Sequence, residues 1–167
     1  PGDARARAGL NALLEREERW DELDASLEKQ TREAVQRRAL RRASRAALKR
    51  ARLWGERLGD PARAALRYGQ AAQFAEDAKD DDSAFLLRLL WLRSLHLSNA
   101  PPRALGDALE ASITVAARVG RADAVHALAR DLGVIESSAA VTAPPAPPPP
   151  PVGNPPAHAS PAPPGLA

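Results

Sequence analysis

The sequence predicts an all-α protein made of antiparallel helix pairs stacked along the chain. Composition and two corners carry that prediction. Alanine and arginine are abundant while aromatics make up 4% of the 167 residues, so helix propensity is high and strand formers are scarce. At Gly59-Asp60-Pro61 one helix stops and another starts. The glycine suits a left-handed C-terminal turn, the aspartate carboxylate can accept from the free N–H groups opening the next helix, and proline at the first helical position sacrifices no hydrogen bond. Asn99-Ala100-Pro101-Pro102 repeats this punctuation. Connections this short set consecutive helices antiparallel on a shared core.

From Asp3 to Arg16, Ala6, Leu10, Leu13 and Leu14 recur at helical spacing. A second helix begins near Trp20, with Trp20, Leu23 and Leu27 on one stripe and Asp21, Glu22 and Asp24 near its positive end. Its end is placed within Lys29 to Glu33, although no glycine or proline marks a break there. One continuous helix from Trp20 to Leu58 is the alternative; a break is preferred because so long a helix is unusual in a globular domain.

The third helix, Ala34 to Leu58, separates charge from apolar surface. Steps of about 100° put Leu40, Ala43, Ala47, Trp54 and Leu58 on one side. Arg38, Arg41, Arg42, Arg45, Lys49 and Arg52 fall on the other, with Arg37 on the flank. The fourth helix, Pro61 to about Lys79, turns Ala64, Ala65, Tyr68, Ala71, Ala72 and Ala75 inward.

Asp80-Asp81-Asp82-Ser83 reads as a helix entrance, since acids and serine suit the positive end of a helix. A hard-cation site is the competing reading, but consecutive acids lack the spaced oxygens and the glycine of a calcium loop. Helix five, Ala84 to Ser98, is apolar nearly all round, which suits a central helix or one covered by another chain. Helix six runs from Pro102 to about Val119 on Leu105, Leu109, Ile113 and Ala116. Helix seven, Arg121 to Leu132, presents Val125, Leu128 and Leu132 as a short cap.

Two regions follow: a helical domain over residues 3–135, and an Ala/Pro-rich tail over 136–167 that holds twelve of the sixteen prolines after Thr142. The tail lacks the apolar residues for a core and is expected to be disordered, sampling polyproline II as a spacer or as a ligand for an aromatic groove.

Several functions lose support. Without cysteine there are no disulfides, cysteine-ligated zinc or thiol nucleophile. His96, His126 and His158 lack metal-binding spacing, Ser83 and Ser112 have no base nearby in sequence, and no glycine-rich phosphate loop occurs. No enzyme and no cofactor is expected. The apolar run Ala84 to Leu97 carries Arg88, Arg93 and His96, so no membrane insertion is expected. The chain starts at Pro1 and has no methionine, so the natural N-terminus is expected to be missing; the compartment stays open, with cytoplasm favoured.

The segment GDPARAALRYGQAA resembles the second helix of a tetratricopeptide repeat: Gly59-Asp60 at the turn, Ala64 and Ala65 on the packing face, Tyr68 at the large position, Ala71 at the later small one. Leu10 and Leu14 with Trp20, Leu23 and Leu27 look like an earlier unit. Leu89, Trp91 and Leu92 with Pro102, Leu105 and Leu109 look like a later one. The pattern departs from the family at Arg52 and Gly55, and its turns near Glu18, Gly59 and Ala100 lie about 41 residues apart rather than 34. The resemblance implies a divergent solenoid of about three units plus a capping helix, whose concave surface recognises another protein.

On that reading Arg38, Arg41, Arg42, Arg45 and Lys49 form a candidate binding face for an acidic peptide or acidic protein surface. A solvated face is the bland reading of the same charges. Non-specific nucleic-acid binding through these arginines is the alternative function, although Tyr68, Trp54 and Trp91 fall on apolar stripes instead of offering stacking platforms. Homo-oligomeric assembly through helix five is a further alternative.

Overall fold

Left-handed residues set the rhythm of the chain. Glu18, Arg38, Gly59, Lys79, Asn99, Gly120 and Gly133 all have φ between 53° and 67°, and each ends a helix. At six of them the amide one residue later reaches back into the last turn: Arg19 to Leu14 O at 2.9 Å, Ala39 to Ala34 O at 2.8 Å, Asp80 to Ala75 O at 3.0 Å, Ala100 to Leu95 O at 3.0 Å, Arg121 to Ala116 O at 2.8 Å, and Val134 to Ala129 O at 2.8 Å. This is the Schellman closure, which satisfies carbonyls that a helix end would otherwise leave open.

The computed structural model describes residues 2–135, with side chains from residue 5 onward. Seven helices follow in order: α1 (Gly2–Arg16), α2 (Trp20–Gln36), α3 (Leu40–Arg52), α4 (Pro61–Asp77), α5 (Asp81–Leu97), α6 (Pro102–Arg118) and α7 (Ala122–Asp131). Among the described residues there is no strand, and each helix packs chiefly on its neighbours in sequence. The predicted tail, with His158, lies outside the described residues.

The spacing of the helices is regular. Helices α2, α4 and α6 each have 17 residues and begin at 20, 61 and 102, which is 41 residues apart both times. The Gly59 corner works as its chemistry predicts: Asp60 Oδ1 accepts from the Arg63 amide at 2.9 Å, with Pro61 opening α4. At the next entrance Asp80 Oδ1 accepts from the Ser83 amide at 3.3 Å, while Asp81 and Asp82 sit in the first turn of α5.

Two expectations need correction. The break after α2 falls at Arg37-Arg38-Ala39, not within Lys29 to Glu33. The turn there uses an arginine in the left-handed region (φ 55°), where glycine is the usual signal. The third helix therefore starts at Leu40, and after Arg52 it widens into a π turn, Leu53–Arg57. In that turn the Leu58 amide reaches Leu53 O at 3.1 Å and the Asp60 amide reaches Trp54 O at 2.8 Å.

The main core lies between α3, α4 and α5 and is built largely from alanine. Ala47, Ala51, Ala64, Ala71, Ala72, Ala75 and Ala84 are buried together with Tyr68, Phe85 and Leu87. Small side chains let backbones approach, so Ser44 Oγ on α3 donates directly to the Ala71 carbonyl of α4 at 2.9 Å. At Gly69 the Trp91 indole lies so close that an added Cβ would sit 3.3 Å from its Nε1. Helix α5 is covered by α4 and α6, which makes it a central helix; Leu86 and Leu97 remain exposed on it. A smaller cluster of Leu14, Leu23, Leu27 and Leu53, with Trp20 and Leu58 against it, joins α1 to α2 and α3.

Candidate functional site: a basic groove between α1 and α3

Helix α3 divides its arginines between two tasks. The stripe Ala43, Ala47, Arg50 and Trp54 faces inward, and Arg50 is 4% exposed. Its guanidinium grips Asp24 of α2 at both oxygens, with Nε to Oδ1 at 2.8 Å and Nη2 to Oδ2 at 2.7 Å, and reaches Glu28 Oε2 at 3.2 Å. Trp54 Nε1 donates to the same Asp24 oxygen at 3.1 Å. Burial pushes the Asp24 carboxyl pKa upward, but the Arg50 hydrogen bonds and charge, helped by Trp54, outweigh it and hold the group below its ordinary value. Nearby on α4, burial and then the charge of Arg50 lower the pKa of Arg67. This network holds helices together.

The other arginines face outward. Arg42, Arg45 and Lys49 are exposed and line one wall of a groove of about 260 Å³, with Arg7, Ala8 and Asn11 of α1 opposite and Gln30, Glu33 and Ala34 of α2 at its base. Arg37, at the end of α2, extends the positive rim. Among the described residues Arg37, Arg42, Arg45 and Lys49 make no salt bridge and no side-chain hydrogen bond. Arg7 is engaged with Glu33, Nη1 to Oε2 at 2.6 Å. No described group of three or more His, Asp or Glu side chains is placed to hold a metal ion.

A second hollow, about 280 Å³, continues the first. Both share Asn11 and Lys49, and the second is lined by Trp20, Leu23, Leu27 and Leu53, with Arg52 and Arg57 on its rim. The first hollow is rimmed mainly by cations, and the second has a floor of leucines and Trp20 under a rim of both signs, with Glu15 and Glu56 beside Arg52 and Arg57. The α3 residues along the two hollows run from Arg42 to Arg57, on the order of 22 Å at helical rise.

The predicted binding face is therefore redistributed. Arg42, Arg45 and Lys49 come together on the groove wall. Arg41 is exposed on α3 but turns toward Asp80 of the α4–α5 connection, 3.8 Å away. Arg38 is a correction: it occupies the left-handed turn before α3 and so does not share the helical face. Trp20 and Arg7 were not anticipated as groove residues, because nothing local in sequence says that α1 and α3 line a common hollow. Arg50 was not anticipated either, although its place on the Ala43, Ala47 and Trp54 stripe at helical spacing was a signal for it.

No family model, curated protein or solved structure matches the chain. Ser112, singled out in the sequence, is fully buried and spends its hydroxyl on the Ala108 carbonyl at 2.7 Å. His126 is exposed on α7 and His96 half-buried on α5. No helix among the described residues is long and apolar enough to cross a membrane.

Proposed function

We propose that this chain is a non-catalytic, tetratricopeptide-like repeat scaffold that binds an acidic segment of another protein along the α1–α3 groove. One observation carries the reading: Arg42, Arg45 and Lys49 line a concave site with no counter-charge of their own among the described residues. Cations left unpaired in a groove raise the local concentration of anionic ligands and steer their arrival. The regular 41-residue spacing of α2, α4 and α6 supports the repeat reading.

The groove favours a peptide over a nucleic acid because its walls are mixed in sign. Glu33 lines the first hollow, and Glu15 and Glu56 line the second. A phosphate backbone carries negative charge at every step and meets these carboxylates unfavourably, whereas a peptide can place its acids selectively.

The test is Arg42→Glu/Arg45→Glu/Lys49→Glu, all exposed positions, titrated by calorimetry with a polyglutamate peptide at several salt concentrations. The parent protein binds with an affinity that falls as salt rises, and the variant loses both the binding and the slope. An unchanged affinity and slope would overturn the proposal. Stronger retardation of random single-stranded or duplex nucleic acid than binding of the peptide, abolished by the same substitutions, would transfer the groove to nucleic acids.

A further inference from the structure

One face of α5 is covered by neither of its neighbours. Leu86 and Leu97 are 55% and 58% exposed, with Leu89 and Leu90 half-buried between them. We infer that this face is a self-association site, on which α5 of a second copy of the chain packs antiparallel. The inference stands apart from the acidic-ligand reading above.

At steps of about 100° per residue, Asp82, Leu86, Leu89, Leu90, Arg93 and Leu97 fall within an arc of about 100°. A single exposed leucine such as Leu66 on α4 is ordinary surface, whereas four on one arc make a contiguous apolar patch. Helix α3 starts 41 positions before α5, and the same arc there carries Arg41, Arg45, Leu48, Lys49 and Arg52. Cations at those places of α3 attract an anion. Leucines at the corresponding places of α5 do not, so what covers them is another apolar surface.

The charges on the arc choose that surface. Asp82 and Arg93 are exposed and make no ion pair or side-chain hydrogen bond among the described residues. They are 11 positions apart, 93 minus 82, which is about three turns and about 16 Å along the axis. The point midway between them, between residues 87 and 88, is also midway between Leu86 and Leu89. A two-fold axis through that point sets Asp82 against the second copy's Arg93, and Leu86 against the second copy's Leu89 and Leu90. Each contact is then made twice, which is the self-complementarity that an isologous interface demands. Parallel pairing would instead oppose Asp82 to Asp82 and Arg93 to Arg93.

Size sets the strength. From Asp82 to Leu97 the stripe is about 22 Å long and one helix wide, short of the ~800 Å² per partner of a standard stable interface. The dimer is therefore weak, dissociating at about 10–100 µM. Its leucines supply the affinity, and the two exposed ion pairs chiefly fix the direction.

The experiment is sedimentation equilibrium of the full chain from about 5 to about 500 µM, with no acidic ligand present, so its outcome is independent of the groove. The weight-average mass climbs from 17.8 kDa toward twice that value. Leu86→Ser/Leu97→Ser, at two solvent-exposed positions, weakens the dimer about tenfold or more and leaves the helical circular dichroism unchanged. Direction is read by crosslinking. The chain has no cysteine, so Asp82→Cys and Arg93→Cys each supply a single thiol, and mixing the two variants keeps one of the two ion pairs. A short bismaleimide joins an Asp82→Cys chain to an Arg93→Cys chain faster than it joins either variant to itself. A strict monomer at the highest concentration, a dimer indifferent to Leu86→Ser/Leu97→Ser, or faster joining of like variants would each overturn the inference.

Discussion

Helices α1 and α3 both lie against α2. Their fates differ. Helix α3 packs between α2 and α4, with Ala43 and Ala51 at 0% exposure and Arg50 locked onto Asp24. Helix α1 rests chiefly on α2, with Leu14 buried but Leu10 and Leu13 at 48% and 38% exposure. Its polar ties to α2 include the Arg7–Glu33 bridge and the hydrogen bond from Ser26 Oγ to Asn11 Oδ1 at 2.8 Å. A helix held on two sides becomes core, whereas the same helix held on one side becomes the wall of a groove.

The largest effect expected from breaking this contrast comes from Arg50→Ala. It strands the Asp24 carboxylate in a partly buried site and should cost about 3–5 kcal/mol, as removal of one partner of a buried pair does. Urea unfolding measures it; a cost below about 1 kcal/mol, the range of a surface bridge, would erase the distinction between α3 and α1.

Acid addresses the same pair more gently. The folded pKa of Asp24 lies below the unfolded value near 3.8, so its contribution is present above that pH. It is lost as pH falls through the lowered folded value. Acid titration of Asp24→Asn should therefore show a shallower loss of stability below about pH 4 than the parent protein.

A third change acts on the turn between α2 and α3. Arg38→Gly relieves a left-handed backbone that disfavours a Cβ and should stabilise by about 1 kcal/mol, raising the urea midpoint. Lys79→Gly at the left-handed turn between α4 and α5 should do the same. The smallest effect belongs to Arg7→Ala. Its bridge to Glu33 is 34% and 24% exposed, so the loss should stay below about 1 kcal/mol. Hydrogen exchange should quicken in α1 while α3 to α5 keep their protection.

Much of the helical frame could be read from the chain because its punctuation there is chemical. Gly59, Asp60 and Pro61 each act at the position their side chains favour, and the double proline at 101–102 does likewise. The Arg38 turn was illegible for the complementary reason. Its left-handed residue carries an ordinary side chain, and the turn is imposed by the packing of α3 back onto α2. The groove was only half legible: helical periodicity identified the outward face of α3, but a groove needs a second wall. That wall comes from α1, whose angle to α3 is a tertiary property. Trp20 shows the same limit, since its stripe predicts packing but not how much of the ring stays open.

The π turn at Leu53–Arg57 has a consequence for length. Two residues, Gly59 and Asp60, separate the start of α4 from the helical backbone that ends at Leu58, whereas three, Asn99 to Pro101, precede α6 after Ser98. One supernumerary residue is housed inside a widened helix in the first case and in the connecting loop in the second. Even so, α4 starts 41 positions after α2, and α6 starts 41 positions after α4. An inserted or deleted residue at either place can thus be absorbed locally, without rotating the helices that follow out of phase.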